Sequence, residues 1–200
     1  MAAAVVKRGA GGHRYQVVLP DGSSFFIPQD LLITYDLHDG KELDEQELES
    51  LQSACETVRI KAKALELLAR REHSRGELMV KLVGRRMDPQ KVQPVLDELE
   101  DAGYLDDRRF ASLWASLRMS KRPEGSLKIS AALAAKGISR EIISEVLSDY
   151  DEEAALERAA EQLLRRRRLD DVRLARALAN RGFSMPLVRR WISSRGEEEF

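Results

Sequence analysis

Leu133-Ala134-Ala135-Lys136-Gly137-Ile138-Ser139 reads as the end of one helix and the start of another. Glycine adopts the left-handed backbone that closes a helix at little cost, and a basic residue beside it suits the helix C-terminus. One apolar residue later, Ser139 can cap a new helix with its hydroxyl. The pattern returns 45 residues on as Leu178-Ala179-Asn180-Arg181-Gly182-Phe183-Ser184. It stands 51 residues earlier as Leu82-Val83-Gly84-Arg85-Arg86-Met87-Asp88, with Arg86 in the glycine position.

The same offsets hold outward from these turns. Upstream, Ile60 falls on Ala111 and Leu156, Ala64 on Ala115 and Ala160, Leu68 on Met119 and Leu164, and Leu78 on Ile129 and Leu174. Downstream, Val92 meets Ile143 and Val188, Val95 meets Val146 and Trp191, and Leu96 meets Leu147 and Ile192. Helical periodicity alone guarantees some of this, so the polar punctuation carries more weight. Ser74, Gly125 and Asp170 share a column that caps a middle helix, with Ser74-x-x-Glu77 as a capping box. Each unit is therefore helix, helix, tight turn, helix. Three such units, spanning 58–105, 106–150 and 151–195, are each too small to bury their apolar faces alone. The expectation is a mainly α fold, stacked into an elongated, curved array. Pro94 inside the first closing helix implies a late start or a kink.

Residues 1–57 differ. They hold 4 basic and 10 acidic groups, against 29 and 24 in the remainder, although the whole chain has a formal charge of only −1. Tyr15–Leu19, the turn Pro20-Asp21-Gly22-Ser23 and Ser24–Pro28 predict a β-hairpin. A hairpin alone is marginal in water, so Leu31–Asp39 and a helix over Leu43–Cys55, opened by Asp44-x-x-Glu47, are expected to pack on it.

The near-zero net charge excludes nucleic-acid binding by bulk positive charge; any such contact must be local. Cys55 is the single cysteine, and with only His13, His38 and His73 beside it there is no zinc-ligand spacing. A reducing, cytoplasmic setting follows. The start Met1–Arg8 has the wrong order and length for a secretory signal or a membrane anchor. With no nucleophile elbow or phosphate loop, the expectation is a non-enzyme without cofactor or metal. The pair Asp106-Asp107 reads as a helix cap near Arg108 with Leu105 as its staple, His73 as an exposed linker residue and Cys55 as a small apolar one.

The run Arg165-Arg166-Arg167-Arg168 ends a helix with the apolar face Leu156, Ala160, Leu163 and Leu164. Arg173, Arg176, Arg181, Arg189 and Arg190 follow, so residues 165–190 hold nine basic groups against two acidic. This is the leading candidate surface for phosphates or an acidic protein; its competitor is a solvated helix end. A helix-turn-helix reader of DNA is opposed by the acidic closing helices, which carry Asp97, Glu98, Glu100 and Asp101 in the first unit and Glu141, Glu145 and Asp149 in the second.

Gly103-Tyr104-Leu105-Asp106-Asp107-Arg108-Arg109-Phe110-Ala111 resembles the hallmark of the RecX family, bacterial regulators of the RecA recombinase. Ala64–Leu78 and Leu133-x-x-Lys136-Gly137-Ile138 are similar to its first-unit and second-unit signatures. The resemblance implies three tandem three-helix units. It also implies a monomer that binds the RecA filament on single-stranded DNA and suppresses its ATPase, strand-exchange and co-protease activities in DNA repair and the SOS response. Some members bind DNA, so an independent nucleic-acid-binding protein is the alternative. The third unit is the family's most variable part, and its arginines are not carried over by resemblance. Tyr104, Leu105 and Phe110 are expected to pack between units one and two.

Overall fold

The structure, a computed structural model, describes residues 4–9, 14–166 and 168–198. The expectations for His13 and Arg167 lie outside the described residues. The chain forms two compact units: Met1–Arg70 with Met79–Asp101, and Arg71–Leu78 with Ala102–Phe200.

Unit one opens with a four-stranded antiparallel sheet of order β3-β2-β1-β4, from β1 (Ala4–Arg8), β2 (Tyr15–Val18), β3 (Ser24–Ile27) and β4 (Glu42–Leu43). The hairpin β2–β3 forms as expected, pairing Tyr15 with Ile27 and Val17 with Phe25. Gly22 takes φ +84° in its turn, and Asp21 accepts hydrogen bonds from the Ser23 backbone and hydroxyl. Strand β1 was not legible as a strand. Val6 is fully buried in the centre of the sheet, a position that three short apolar residues do not announce. The segment after β3 contains helix α1 (Gln29–Thr34), and Leu37 joins the core with Val17, Ile27, Leu43 and Leu51.

Helix α2 (Glu45–Leu68) begins at the capping box Asp44/Glu47 and continues for 24 residues. The sequence suggests a helix end near Cys55 and a unit boundary at 57; one helix crosses both. No glycine, proline or cap residue interrupts Cys55–Ile60, and a change in net charge does not break a backbone ladder. Helix α3 (Arg75–Val83) follows, then α4 (Pro89–Asp101), which packs on α2 and is tied to it by Lys61–Glu98 and Lys91–Glu56. Of the two outcomes expected from Pro94, a late start or a kink, the late start does not occur. Helix α4 begins at Pro89, and Pro94 lies inside it on the exposed side.

Unit two contains α5 (Asp107–Lys121), α6 (Ser126–Ala134) and α7 (Arg140–Ser148), then α8 (Glu152–Arg166), α9 (Asp171–Ala179) and α10 (Met185–Glu198). Each triplet has its own core. Phe110, Ala115, Ile129, Leu133, Ile138 and Ile143 form one, and Leu156, Ala160, Leu174, Leu178, Phe183 and Val188 the other. The register found in the sequence holds at its central column: Leu82, Leu133 and Leu178 are each 0% exposed. Gly137 and Gly182 take φ +83° and +90° at the turns, and Arg86 takes φ +62° without being glycine. Among the described residues, no helix is long and apolar enough to cross a membrane.

Candidate interaction surface of the second and third repeats

The arginines of the third repeat divide into two groups. Arg166, Arg173 and Arg176 line a concavity of about 380 Å³ between α8 and α9, floored by Leu163, Leu169 and Ala177. Arg176 also borders a groove of about 610 Å³ with Arg189, where Val172, Met185 and Ile192 supply apolar walls. The rest are partnered or apart. Arg165 lies 3.6 Å from Glu161 and Arg190 3.8 Å from Glu153, and Arg173 of the concavity also lies 3.4 Å from Asp170, all at exposed positions where such pairs contribute little. Arg168 is exposed. Arg181 is half-buried and directs Nη1 at Ala159 O and Gln162 Oε1 at 3.5 and 3.4 Å. Burial pushes its guanidinium pKa down, and Arg122 and Arg166 push the same way.

Those neighbours lead to residues that the sequence did not single out. Glu124, 2% exposed, holds Lys128 at 3.0 Å, Arg118 at 3.3 Å and Arg122 at 3.8 Å. Arg118 also stacks 4.6 Å above the Trp114 ring. One buried carboxylate thus gathers three cations of the second repeat beside Arg181 and Arg166 of the third. A buried acid amid excess cations fixes their positions and leaves positive charge for an outside anion. The only sequence signal was positional: Glu124 shares a column with His73, another buried polar residue. His73, expected as an exposed linker, is 2% exposed with Nδ1 3.0 Å from Glu77 Oε2. The Ser74 cap just after it is itself fully buried, which takes His73 inside.

The two carboxylates of Asp106-Asp107 have separate roles. Asp106 Oδ1 accepts from Arg109 N–H at 2.9 Å and caps α5, while Asp107 Oδ1 reaches back to Arg75 N–H at 2.7 Å, the first residue of α3. The next repeat repeats both bonds with Asp151 and Glu152. Asp151 accepts from Ala154 N–H at 2.9 Å, and Glu152 from Ser126 N–H at 2.8 Å at the start of α6. A second joint recurs beside it. The Lys136 carbonyl accepts from Ser74 Oγ at 2.7 Å, and its counterpart on Arg181 accepts from Gly125 N–H at 2.9 Å. A Cβ on Gly125 would stand 2.2 Å from the Gly182 carbonyl oxygen, and one on Gly76 2.5 Å from that of Lys136. Glycine is required there because backbone meets backbone.

Arg109 completes the motif. Nε and Nη2 bind both oxygens of Glu72 at 2.8 and 3.3 Å, while Nη1 and Nη2 reach the carbonyls of Gly103 and Tyr104 at 3.2 Å each. Gly103 supplies the φ of +74° that ends α4. Leu105 and Phe110 are buried, Phe110 in the second repeat's own core, whereas Tyr104 is 58% exposed. Its backbone, held by Arg109, is what the fold uses.

Residues 61–99 match the first three-helix domain of RecX and residues 106–147 its second three-helix domain. A regulatory protein RecX of Chlorobium phaeobacteroides is 39% identical over 130 residues, 63% of this chain and 86% of that protein. The chain belongs to the RecX family. The RecX regulatory protein of Listeria monocytogenes is 31% identical over 152 residues, 76% of this chain; the chain spans about half the length of such relatives, 56% in that case. A crystal structure of regulatory protein RecX has the same fold, with a TM-score of 0.73 at 22% identity over 94% of this chain and 98% of that one. Within this RecX fold, the hallmark residues Gly103, Asp106, Asp107, Arg109 and Phe110 cap, clamp and fill. They build the repeats.

Proposed function

We propose that this RecX-family chain is a non-catalytic regulator that binds the RecA recombinase filament on single-stranded DNA and inhibits its ATPase, strand-exchange and co-protease activities. The observation that carries the reading is the combination of RecX membership with an anchored basic surface. Arg118, Arg122, Lys128, Arg166, Arg173, Arg176 and Arg181 belong to two adjacent repeats and answer to few carboxylates. Such a surface suits a polyanion or an acidic protein ridge, and several weak contacts along a polymer sum to useful affinity without a deep pocket. On this reading the protein acts in the cytoplasm as a monomer.

The test is ATP hydrolysis by the recombinase on single-stranded DNA, titrated with this chain. A falling steady-state rate supports the reading, and an unchanged rate at saturating chain rejects it. The alternative, an independent DNA reader of helix-turn-helix type, is disfavoured by the exposed Asp97, Glu98 and Glu100 of α4 and Glu141 and Glu145 of α7, which phosphates would repel.

A further inference from the structure

Strand β3 ends the sheet, because the order β3-β2-β1-β4 gives it a neighbour on one side only. The hydrogen bond from Leu19 N–H to the Ser23 carbonyl, at 2.8 Å, fixes the parity of the β2–β3 ladder. Val17–Phe25 and Tyr15–Ile27 are then the hydrogen-bonded pairs, and the N–H and C=O groups of Ser24 and Phe26 turn away from β2. Natural edges are usually blunted by charge, proline or a bulge. The four residues Ser24-Phe25-Phe26-Ile27 carry none of these, and Phe26 is 64% exposed.

Beside this edge runs a groove of about 780 Å³, walled by Phe26, Ile27 and Pro28 on one side and by Cys55, Val58 and Ala62 of α2 on the other. An edge strand facing a helix across an apolar groove is the arrangement in which an extended peptide adds a strand by backbone hydrogen bonds. The groove also selects charge. Arg14 and Arg59 line it, and neither has an ion-pair partner among the described residues. The one acid present, Glu56, is bound to Lys91 at 2.7 Å. Arg14, from the acidic residues 1–57, and Arg59 of α2 thus bring two cations without ion-pair partners among the described residues to one groove.

We propose that unit one binds an extended, acidic segment of a partner protein as a fifth strand on β3, with its apolar side chains in the β3–α2 groove and its carboxylates at Arg14 and Arg59. A second copy of this chain fits poorly. Pairing two β3 edges would bring two regions of net charge −6 together and duplicate the same arginines.

The experiment selects binders to the full chain from a displayed random-peptide library, then measures a synthetic consensus peptide by fluorescence anisotropy. The expected consensus alternates apolar and acidic residues. Arg14→Glu combined with Arg59→Glu weakens its binding by about tenfold or more, since both rim charges are reversed at exposed positions. Phe26→Pro removes one outward N–H without touching the β2 ladder, and it abolishes binding while the circular dichroism spectrum and melting curve stay in place. The proposal is overturned by a library that yields no groove binder, by a consensus without acidic bias, or by unchanged affinity in both variants. Dimerisation in sedimentation that Phe26→Pro dissolves and the peptide does not compete with would assign the edge to a second copy and overturn it equally.

Discussion

Glu77 shows how a residue chosen for a helix cap acquires a larger role. Ser74 Oγ accepts from Glu77 N–H at 3.1 Å, as the capping pattern requires, but the carboxylate itself meets His73, Arg71 and Lys136. Burial alone would raise its pKa; the hydrogen bonds from Lys136, Arg71 and His73 outweigh that and hold it down to about 2, against an ordinary 4.5. A carboxylate depressed in the folded state contributes its stability above the unfolded pKa and loses it as pH falls towards the folded one. Stability should therefore decline between about pH 4.5 and 2, and Glu77→Gln should flatten that limb while costing about 2 kcal/mol at pH 7. Urea titrations at pH 7, 4 and 3 read both effects; a parallel acid limb in the variant would refute the assignment. Phe110, buried in the second repeat's core beneath Lys136 Nζ at 5.8 Å, gives a second residue-scale expectation. Phe110→Ala should cost about 3 to 5 kcal/mol through the cavity it leaves. An unchanged melting temperature would make the motif a contact surface instead.

At the scale of elements, the turns between the second and third helices of each repeat differ according to what they meet. Gly182 combines φ +90° with close approach, since a Cβ there would stand 2.4 Å from Lys128 Cβ and 2.8 Å from Lys128 N. Gly182→Ala should destabilise by about 2 to 4 kcal/mol, from left-handed strain and overpacking together. Arg86 occupies the matching position with φ +62° but is exposed, so only the strain applies. Arg86→Gly should stabilise by up to about 1 kcal/mol, the relief being offset in part by the freedom glycine gains when unfolded. Thermal melts of both variants check the pair, and effects of the same sign would contradict this reading. The sequence showed all three turns through their spacing. It did not show why two are glycine, because that depends on the backbone of the preceding repeat.

For the whole molecule, the basic surface spanning the second and third repeats should govern binding to the nucleoprotein filament. Arg166→Glu combined with Arg173→Glu changes exposed side chains only and should leave the melting temperature within a few degrees. Inhibition of the recombinase ATPase should weaken, most at low salt, with the deficit shrinking as ions screen the remaining charge. Equal inhibition by variant and parent across the salt series would reduce these arginines to a solvated helix end. Periodic apolar positions, cap residues and turn glycines are local signals, and they sufficed for the three repeats and the hairpin, while the RecX family was legible through the resemblance of the Gly103–Ala111 motif. Strand β1, the burial of His73 and Glu124, the outward Tyr104 and the reach of Asp107 to the preceding repeat were decided only in three dimensions. Each depends on a partner 26 or more positions away or on which side of a packed helix a polar group falls, and neither is written in the residues beside it.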